Sequence, residues 1–480
     1  MARNIKSNFI YSFVYQILVV LLPLLTSPYL SRILGPNGLG VYSYTFSLAT
    51  FFALFGMLGV NNYGNRTIAT VQNDINERSR AFWNIWSLQV FMTIVTLIFY
   101  GIYLIAYCPV EYKLVSFIQI ITIICSMLDI NWFFFGMEQF KIIVTRNLII
   151  RLVNVLMIFL LVKDRDDVWL YATIMVSGTL LSNVIVWSFL KKYVVFVRPR
   201  FKEQRLHFKP NAVLFVPVIA ITLYKQLDKV MLGFLSTMEQ VGYFVNAEKI
   251  ISIPMGIITS LGVVMLPRIS FLSAKGKEKE VFRYLSLSME FVCFMSAAMT
   301  FGIAGISKEF APVFFGQEFH FVGSLIMLIS PTIVFISWAN VIRTQYLMPK
   351  HKDKSYIVSV LLGAIINIIM NIVLIPRYGA MGAVIGTLCA EATVMIYQSN
   401  CVKNEVKIRK YVKNGIYYFL AGFVMFIGIR FIAQFGGPNI KTIILEILIG
   451  ALIYIVLCLP YVLLKHKKVI NNYVNNTKGF

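Results

Sequence analysis

Fourteen long apolar stretches follow one another along this chain, near residues 8–34, 40–63, 83–107, 113–135, 143–162, 168–190, 211–234, 241–267, 284–306, 321–348, 355–376, 379–402, 414–435 and 441–464. Each is long enough to cross the roughly 30 Å hydrocarbon core of a bilayer as one helix. The pattern predicts an all-α integral membrane protein of about fourteen transmembrane helices. Composition agrees, with 58% of the 480 residues hydrophobic and only 14% charged. Mean hydropathy is +0.76, a value typical of polytopic helical membrane proteins and not of soluble domains.

The chain carries 44 Lys and Arg against 21 Asp and Glu. In a soluble protein that excess would suggest nucleic acid; here its distribution excludes it, because the basic residues gather in short loops between apolar stretches. With the N-terminus inside, 31 of them fall on cytoplasmic segments and seven outside. The inside set starts with Arg3 and Lys6, is densest from Lys191 to Lys209, and ends in the tail from Lys465. This asymmetry predicts a multi-pass membrane protein with both termini cytoplasmic. The first stretch lacks a small-residue cleavage site and reads as an uncleaved span. The six cysteines are scattered without a CxxC, and the four histidines all lie in loops or the tail. That spacing argues against disulfides, thiolate metal sites, zinc chemistry and a histidine proton relay.

The most basic loop divides the chain. Residues 1–192 form an N-terminal lobe of six spans, 193–210 a cytoplasmic linker, 211–410 a second six-span lobe, and 411–480 two further spans with a basic tail. A short echo suggests duplication: LGVYSYT at 39–45 opens the second span, and VGYFVNA at 241–247 opens the eighth. The first span of each lobe is interrupted by proline, Pro23 and Pro28 in one and Pro217 in the other. Duplicated halves with interrupted helices are a transporter habit, with substrate held between them.

Charge inside an apolar span is costly and marks function by default. Lys225, Asp228 and Lys229 share one helix face by their i, i+3, i+4 spacing. Asp228 neutralises one lysine, leaving a net positive face that calls for a polar cavity; a purely internal ion network is the alternative. Asn147, Arg151 and Asn154 make a second stripe, and Asn340, Arg343 and Thr344 a third. Arg343 can line a cavity or snorkel to the headgroups. Glu248 and Ser252 lie one turn apart, with Lys249 beside them as a structural ion partner or not. Asn367 and Asn371 follow Gly363, and such Asn stripes commonly join helices. Gly382, Gly386 and Ala390 have the small-xxx-small spacing of close helix packing. Arg430 and Glu446, in the last two spans, read as a local structural pair. Paired carboxylates, a Ser/His/Asp set, GxxxxGK and GxGxxG are all absent, so no catalytic or metal-binding set is expected and the chain reads as a transporter rather than an enzyme.

The opening NFIYSFVYQILVVLLPLLTSPYLSRILGPNGLGVYSYTFSLATFFALFGMLGVNNYGNR (8–66), with DINWFFFGMEQFK from 129 and Arg146-Asn147 after it, resembles the Wzx or RfbX oligosaccharide flippases. These belong to the multidrug/oligosaccharidyl-lipid/polysaccharide exporter (MOP) superfamily. The likeness is close over roughly the first 155 residues and continues by hydropathy and motif placement. It implies two six-helix lobes related by pseudo-twofold symmetry, plus two extra C-terminal helices. It also implies an undecaprenyl-diphosphate-linked oligosaccharide repeat unit as substrate, moved outward by alternating access for polysaccharide assembly. A cationic lumen, no bound cofactor, a proton or sodium gradient as driving force, and a polysaccharide polymerase with chain-length machinery as partners come with it. The residues suit that chemistry, since arginine and lysine offset the desolvation of a diphosphate. The candidate lumen residues are Lys225, Lys229, Arg343, Arg151 and Arg32, with Asp228, Glu248 and Asp129 as pairing or ion-coupling groups. Arg32 and Asp129 lie near span ends and equally suit topology or packing.

Other classes fit less well. A membrane polymerase or glycosyltransferase needs a sizeable external loop, and the longest here, near 307–321, holds only Lys308, Glu309, Glu318 and His320 as charged or titratable groups. A multidrug exporter for cationic drugs favours an acidic, aromatic-lined cavity, whereas these spans are more basic than acidic. A cell-wall lipid-precursor flippase shares the diphosphate headgroup and stays open. Replacing Lys225 and Lys229 together by Ala is expected to cut transport while leaving protein abundance near normal. Quantifying both in one membrane preparation checks this, because lost abundance with normal activity per molecule would make the pair structural.

Overall fold

The computed structural model describes the backbone of residues 2–477 and the side chains of residues 22–465, except those at 216, 217, 220, 221, 223–225 and 263. Every regular element among the described residues is helical. In chain order these are α1 (Ala2–Met57), α2 (Val60–Val71), α3 (Ile75–Ala106), α4 (Lys113–Ile118), α5 (Ile120–Leu128), α6 (Asn131–Gly136), α7 (Phe140–Leu161), α8 (Val168–Leu190) and α9 (Phe201–Leu235). They continue with α10 (Met238–Ala274), α11 (Glu278–Phe315), α12 (His320–Ile329), α13 (Thr332–Ile342), α14 (Asp353–Tyr378), α15 (Ala380–Val402), α16 (Ile408–Gly436) and α17 (Ile440–Thr477).

Eleven helical stretches among the described residues are long and apolar enough to cross a membrane, or twelve if the pair that meets at 42° near Ser330 is one broken span. The chain is an all-α, multi-pass membrane protein. The expected spans 8–34 and 40–63 share α1, which breaks at Gly35 with φ 66° and ψ 180°. The expected span 211–234 lies within α9, where several side chains are not described. The expected fourth span is split at Gln119 and again at Asp129. The tenth ends in a π-helical turn, Arg343–Leu347.

The chain divides into two compact units, Met1–Val245 and Asn246–Phe480. The core of the first is an aromatic cluster in which Phe82, Trp132, Phe133 and Phe134 are fully buried and Trp83, Trp86 and Trp187 pack around them. The expected cytoplasmic linker is partly helical and docked on α3. Arg78 Nε donates to the Tyr193 carbonyl at 2.9 Å, Trp83 Nε1 to that of Val195 at 3.0 Å, and Asn84 Nδ2 to Glu203 Oε2 at 2.7 Å.

The two echoing sequence stretches meet. A methyl group built on Gly40 would lie 1.6 Å from the Met238 carbonyl oxygen, and one on Gly242 would lie 1.9 Å from that of Pro36. In each case the carbonyl belongs to the residue one turn before the opposing glycine, so the crossing is locally reciprocal. Only glycine lets two backbones approach this closely.

Within the second unit, α11 packs against α12, α13, α16 and α17, and α14 lies along α15. The small residues of α15 do the packing their spacing predicts. A Cβ on Gly382 would strike the Leu374 backbone at 2.5 Å, and one on Gly386 the Asn371 amide at 2.3 Å. Outside the membrane, Lys352 and the Tyr346 hydroxyl both hydrogen-bond Glu405 and hold its carboxyl below the usual carboxylate range.

Gly40→Ala and Gly242→Ala are each expected to destabilise the protein by about 1–3 kcal/mol through overpacking. The double variant should cost less than the sum, because both act on one crossing. Gly101→Ala, with nothing within 4 Å of the added methyl, should be tolerated. Thermal unfolding in detergent of the four variants checks all three expectations.

Candidate functional site

A helix that stops inside a membrane leaves its last carbonyls without helical partners, and hydrocarbon supplies none. Helix α5 stops at Leu128, and Asp129 turns into extended backbone with ψ 102°. Side chains from two neighbouring helices take up the freed carbonyls one after another. Asn183 Nδ2 donates to Cys125 at 2.9 Å, Trp86 Nε1 to Met127 at 3.1 Å and Trp187 Nε1 to Leu128 at 3.0 Å. Gln89 Nε2 serves Ser126 and, at 2.9 Å, the carbonyl of Asp129 itself. Trp132 Nε1 in turn donates to Gln89 Oε1 at 3.2 Å, so Gln89 ties both sides of the break together.

Beside the break lies a cavity of about 340 Å³, lined by Asp129, Asn61, Thr50, Thr122, Ser126, Thr179 and Asn183 with Leu54, Met57 and Val218. That volume is at the small end of small-molecule sites, which span roughly 300–1,000 Å³. The Thr50 hydroxyl is buried without a partner among the described residues. Asp129 caps the chain beyond it, accepting from the Asn131 amide at 2.9 Å. Arg146 is 7% exposed and donates through Nη2 to both Asn131 Oδ1 and Asn147 Oδ1 at 2.9 Å. Ser182 Oγ also donates to Asn147 Oδ1 at 2.9 Å, which anchors the network to α8.

The second unit holds its own polar group. Arg343 is half-buried on the π-helical turn, and its Nη2 donates to Asn340 Oδ1 at 2.6 Å. Its guanidinium sits 5.3 Å from the Tyr356 ring centroid, a cation–π contact. Both partners, Asn340 and Tyr356, are neutral side chains. On α14 and α15, Asn371 Nδ2 donates to Asn367 Oδ1 at 3.1 Å and Gln398 Nε2 to Ser359 Oγ at 2.9 Å. The asparagine bond lies within α14, and the hydrogen bond that crosses to α15 is the one made by Gln398.

Of the residues singled out from sequence, Asp228 is buried and Lys229 half-buried on α9. The Lys225 side chain lies outside the described residues. Glu248 is half-buried on α10, and Arg32 on α1 is exposed. Arg151 is exposed while Asn147 contacts Ser182 and Asn154 packs over Gly178. At about 100° per residue Arg151 stands about 40° from Asn147 and 60° from Asn154, at the edge of the face they share. The buried arginine of this helix is Arg146, which the charge pattern counts among the 31 basic residues on the cytoplasmic side. Its placement directly before Asn147, the first residue of the polar stripe, is the one sequence signal for it. Arg430 also differs from the expected local pair: its Nη1 binds Glu309 Oε2 at 2.6 Å and the Gly305 carbonyl at 3.1 Å.

The family described as "Polysaccharide biosynthesis protein" matches residues 5–273. The "Putative O-antigen transporter" of Escherichia coli strain K12 is 22% identical over 84% of this chain and 97% of its own length. Among solved structures, the lipid II flippase MurJ in an inward closed conformation aligns with a TM-score of 0.76 at 16% identity, over 97% of this chain and all of that one. An inward-facing multidrug resistance MATE transporter of the MOP superfamily aligns at 0.62 with 11% identity, over 88% and 98%. At these identities the structural likenesses establish the fold.

Gln89→Leu keeps the volume of the side chain but strands two carbonyls and an indole N–H. Each unsatisfied buried group costs about 1–3 kcal/mol, so the melting temperature in detergent should fall clearly, as differential scanning fluorimetry would show.

Proposed function

The chain belongs to the polysaccharide biosynthesis protein family, and from that premise we propose that it is a flippase for lipid-linked oligosaccharides. Its cargo is an undecaprenyl-diphosphate-linked repeat unit, carried from the inner to the outer leaflet of the bacterial cytoplasmic membrane by alternating access. The observation that carries this reading is the family match, with the transporter name of a relative aligned along nearly its whole length as support.

The chemistry follows from what such a cargo needs. A diphosphate is anionic and cannot enter hydrocarbon unaided, so it requires cations held where water is scarce. Arg343 offers a guanidinium oriented by an amide oxygen and an aromatic face, and such a fork binds phosphate oxygens bidentately. Lys229, and Lys225 with it, add to the positive set. Sugar hydroxyls pair with the amides and hydroxyls of a cavity such as the one at the α5 break, where Asn61, Asn183, Thr122 and Thr179 line the wall. Bonds are neither made nor broken, so a reacting group is not needed. A proton or sodium gradient drives the cycle, and a polymerase with its chain-length partners takes the product at the outer face.

The cell-wall lipid precursor is the second reading, favoured by the likeness to MurJ. Depleting the protein and probing intact spheroplasts with an external lectin or glycosidase separates the two. Complete repeat units should accumulate and stay protected until the cells are lysed. Accumulation in an exposed form would point to a polymerase, and no accumulation would move the cell-wall precursor or a drug to the front. Arg343→Gln should reproduce the protected accumulation at normal abundance.

A further inference from the structure

Glu446 stands apart from every group used so far. It lies on α17, is 0% exposed, and neither carboxylate oxygen has a hydrogen-bond partner among the described residues. Helix α17 packs against α16 and α11, and the charged groups those helices bring near Glu446 are Arg430 and Glu309. These two are bound to each other at 2.6 Å. Glu309 is six residues before the last residue of α11, Arg430 six before the last of α16, and Glu446 six after the first of α17. At 1.5 Å per residue all three sit about 9 Å from their helix ends, at one depth.

The charges do not balance if both carboxyls are ionised. Arg430 already offsets Glu309, so an ionised Glu446 would leave a net negative charge buried without a donor. A group in that position sheds its charge by holding a proton. We propose that Glu309, Arg430 and Glu446 form an intramembrane proton-binding site, in which Glu446 holds the proton while Arg430 is paired with Glu309. Releasing that proton to a base leaves a carboxylate that competes with Glu309 for the guanidinium, so Arg430 changes partner as the site empties. This site is independent of which cargo the protein carries.

Infrared spectroscopy of the wild-type protein in lipid nanodiscs at neutral pH should show the carbonyl stretch of a protonated carboxyl, lost on raising the pH. Glu446→Gln removes that band while mimicking the neutral side chain, and should keep the melting temperature. Glu309→Gln should also lose the band although it leaves Glu446 in place, because Arg430 is then free to ionise it. This second variant carries the test if the first fails to fold. A band that survives in Glu446→Gln or in Glu309→Gln, or a wild type without one, overturns the proposal. A wild-type band removed by sodium chloride at constant pH overturns it too, in favour of a metal-cation site.

Discussion

A helix interrupted inside hydrocarbon has to find partners for the carbonyls it releases, and much of the first unit is built around that requirement. The carbonyls from Cys125 to Asp129 are taken up by Asn183, Gln89, Trp86 and Trp187. Those side chains come from α3 and α8, so capping the break also fixes where three helices meet. The tryptophans do this while filling the aromatic core with Phe82, Phe133 and Phe134. An indole suits the task because its ring is apolar and its single N–H can be satisfied by a carbonyl. The polar cavity beside Asp129 follows from the same break, since backbone that leaves the helix brings its own hydrogen-bonding groups into the membrane.

Close backbone approach supplies the rest of the packing. In lipid, helix association is driven by van der Waals contact and interhelical hydrogen bonds and not by a hydrophobic effect between helices. Gly40 and Gly242 bring α1 and α10 together through reciprocal carbonyl contacts, and Gly382 and Gly386 do the same for α15 against α14. At Gly386 the space is filled by the Asn371 amide, so a small residue on one helix makes room for a polar one on the next.

Much of this was legible in the sequence, for reasons that particular residues make plain. Apolar length and the placement of lysine and arginine depend on the chain alone, so the all-helical, multi-pass architecture could be read directly. The small-xxx-small spacing at Gly382 foretold packing, whereas the echo at Gly40 and Gly242 suggested duplication and gave no sign that the two stretches meet. The motif from Asp129 to Lys141, with Arg146-Asn147, marked the broken helix without showing that it was broken. Arg146 counts as a cytoplasmic-side charge because a charge count cannot see Asn131, fifteen residues earlier, turn back to accept from it. Arg430 could be matched with Glu446 along the chain, yet it reaches Glu309, which precedes it by 121 residues.

By itself, then, the sequence determined what a single helix can express: how many apolar stretches there are, how basic the loops between them are, and which small and polar residues share a face. Hydrophobic transfer and positive-inside bias act residue by residue and need no partner. Only the tertiary structure decided which arginine is buried, which carbonyls are left free and filled, and which carboxyl has no hydrogen-bond partner among the described residues. Those outcomes depend on groups far apart in sequence arriving within about 3 Å of each other, the distance over which hydrogen bonds act. Glu446 shows the difference most sharply, because its place in the membrane can be read from α17 while its lack of a hydrogen-bond partner among the described residues emerges only once α11 and α16 have closed around it.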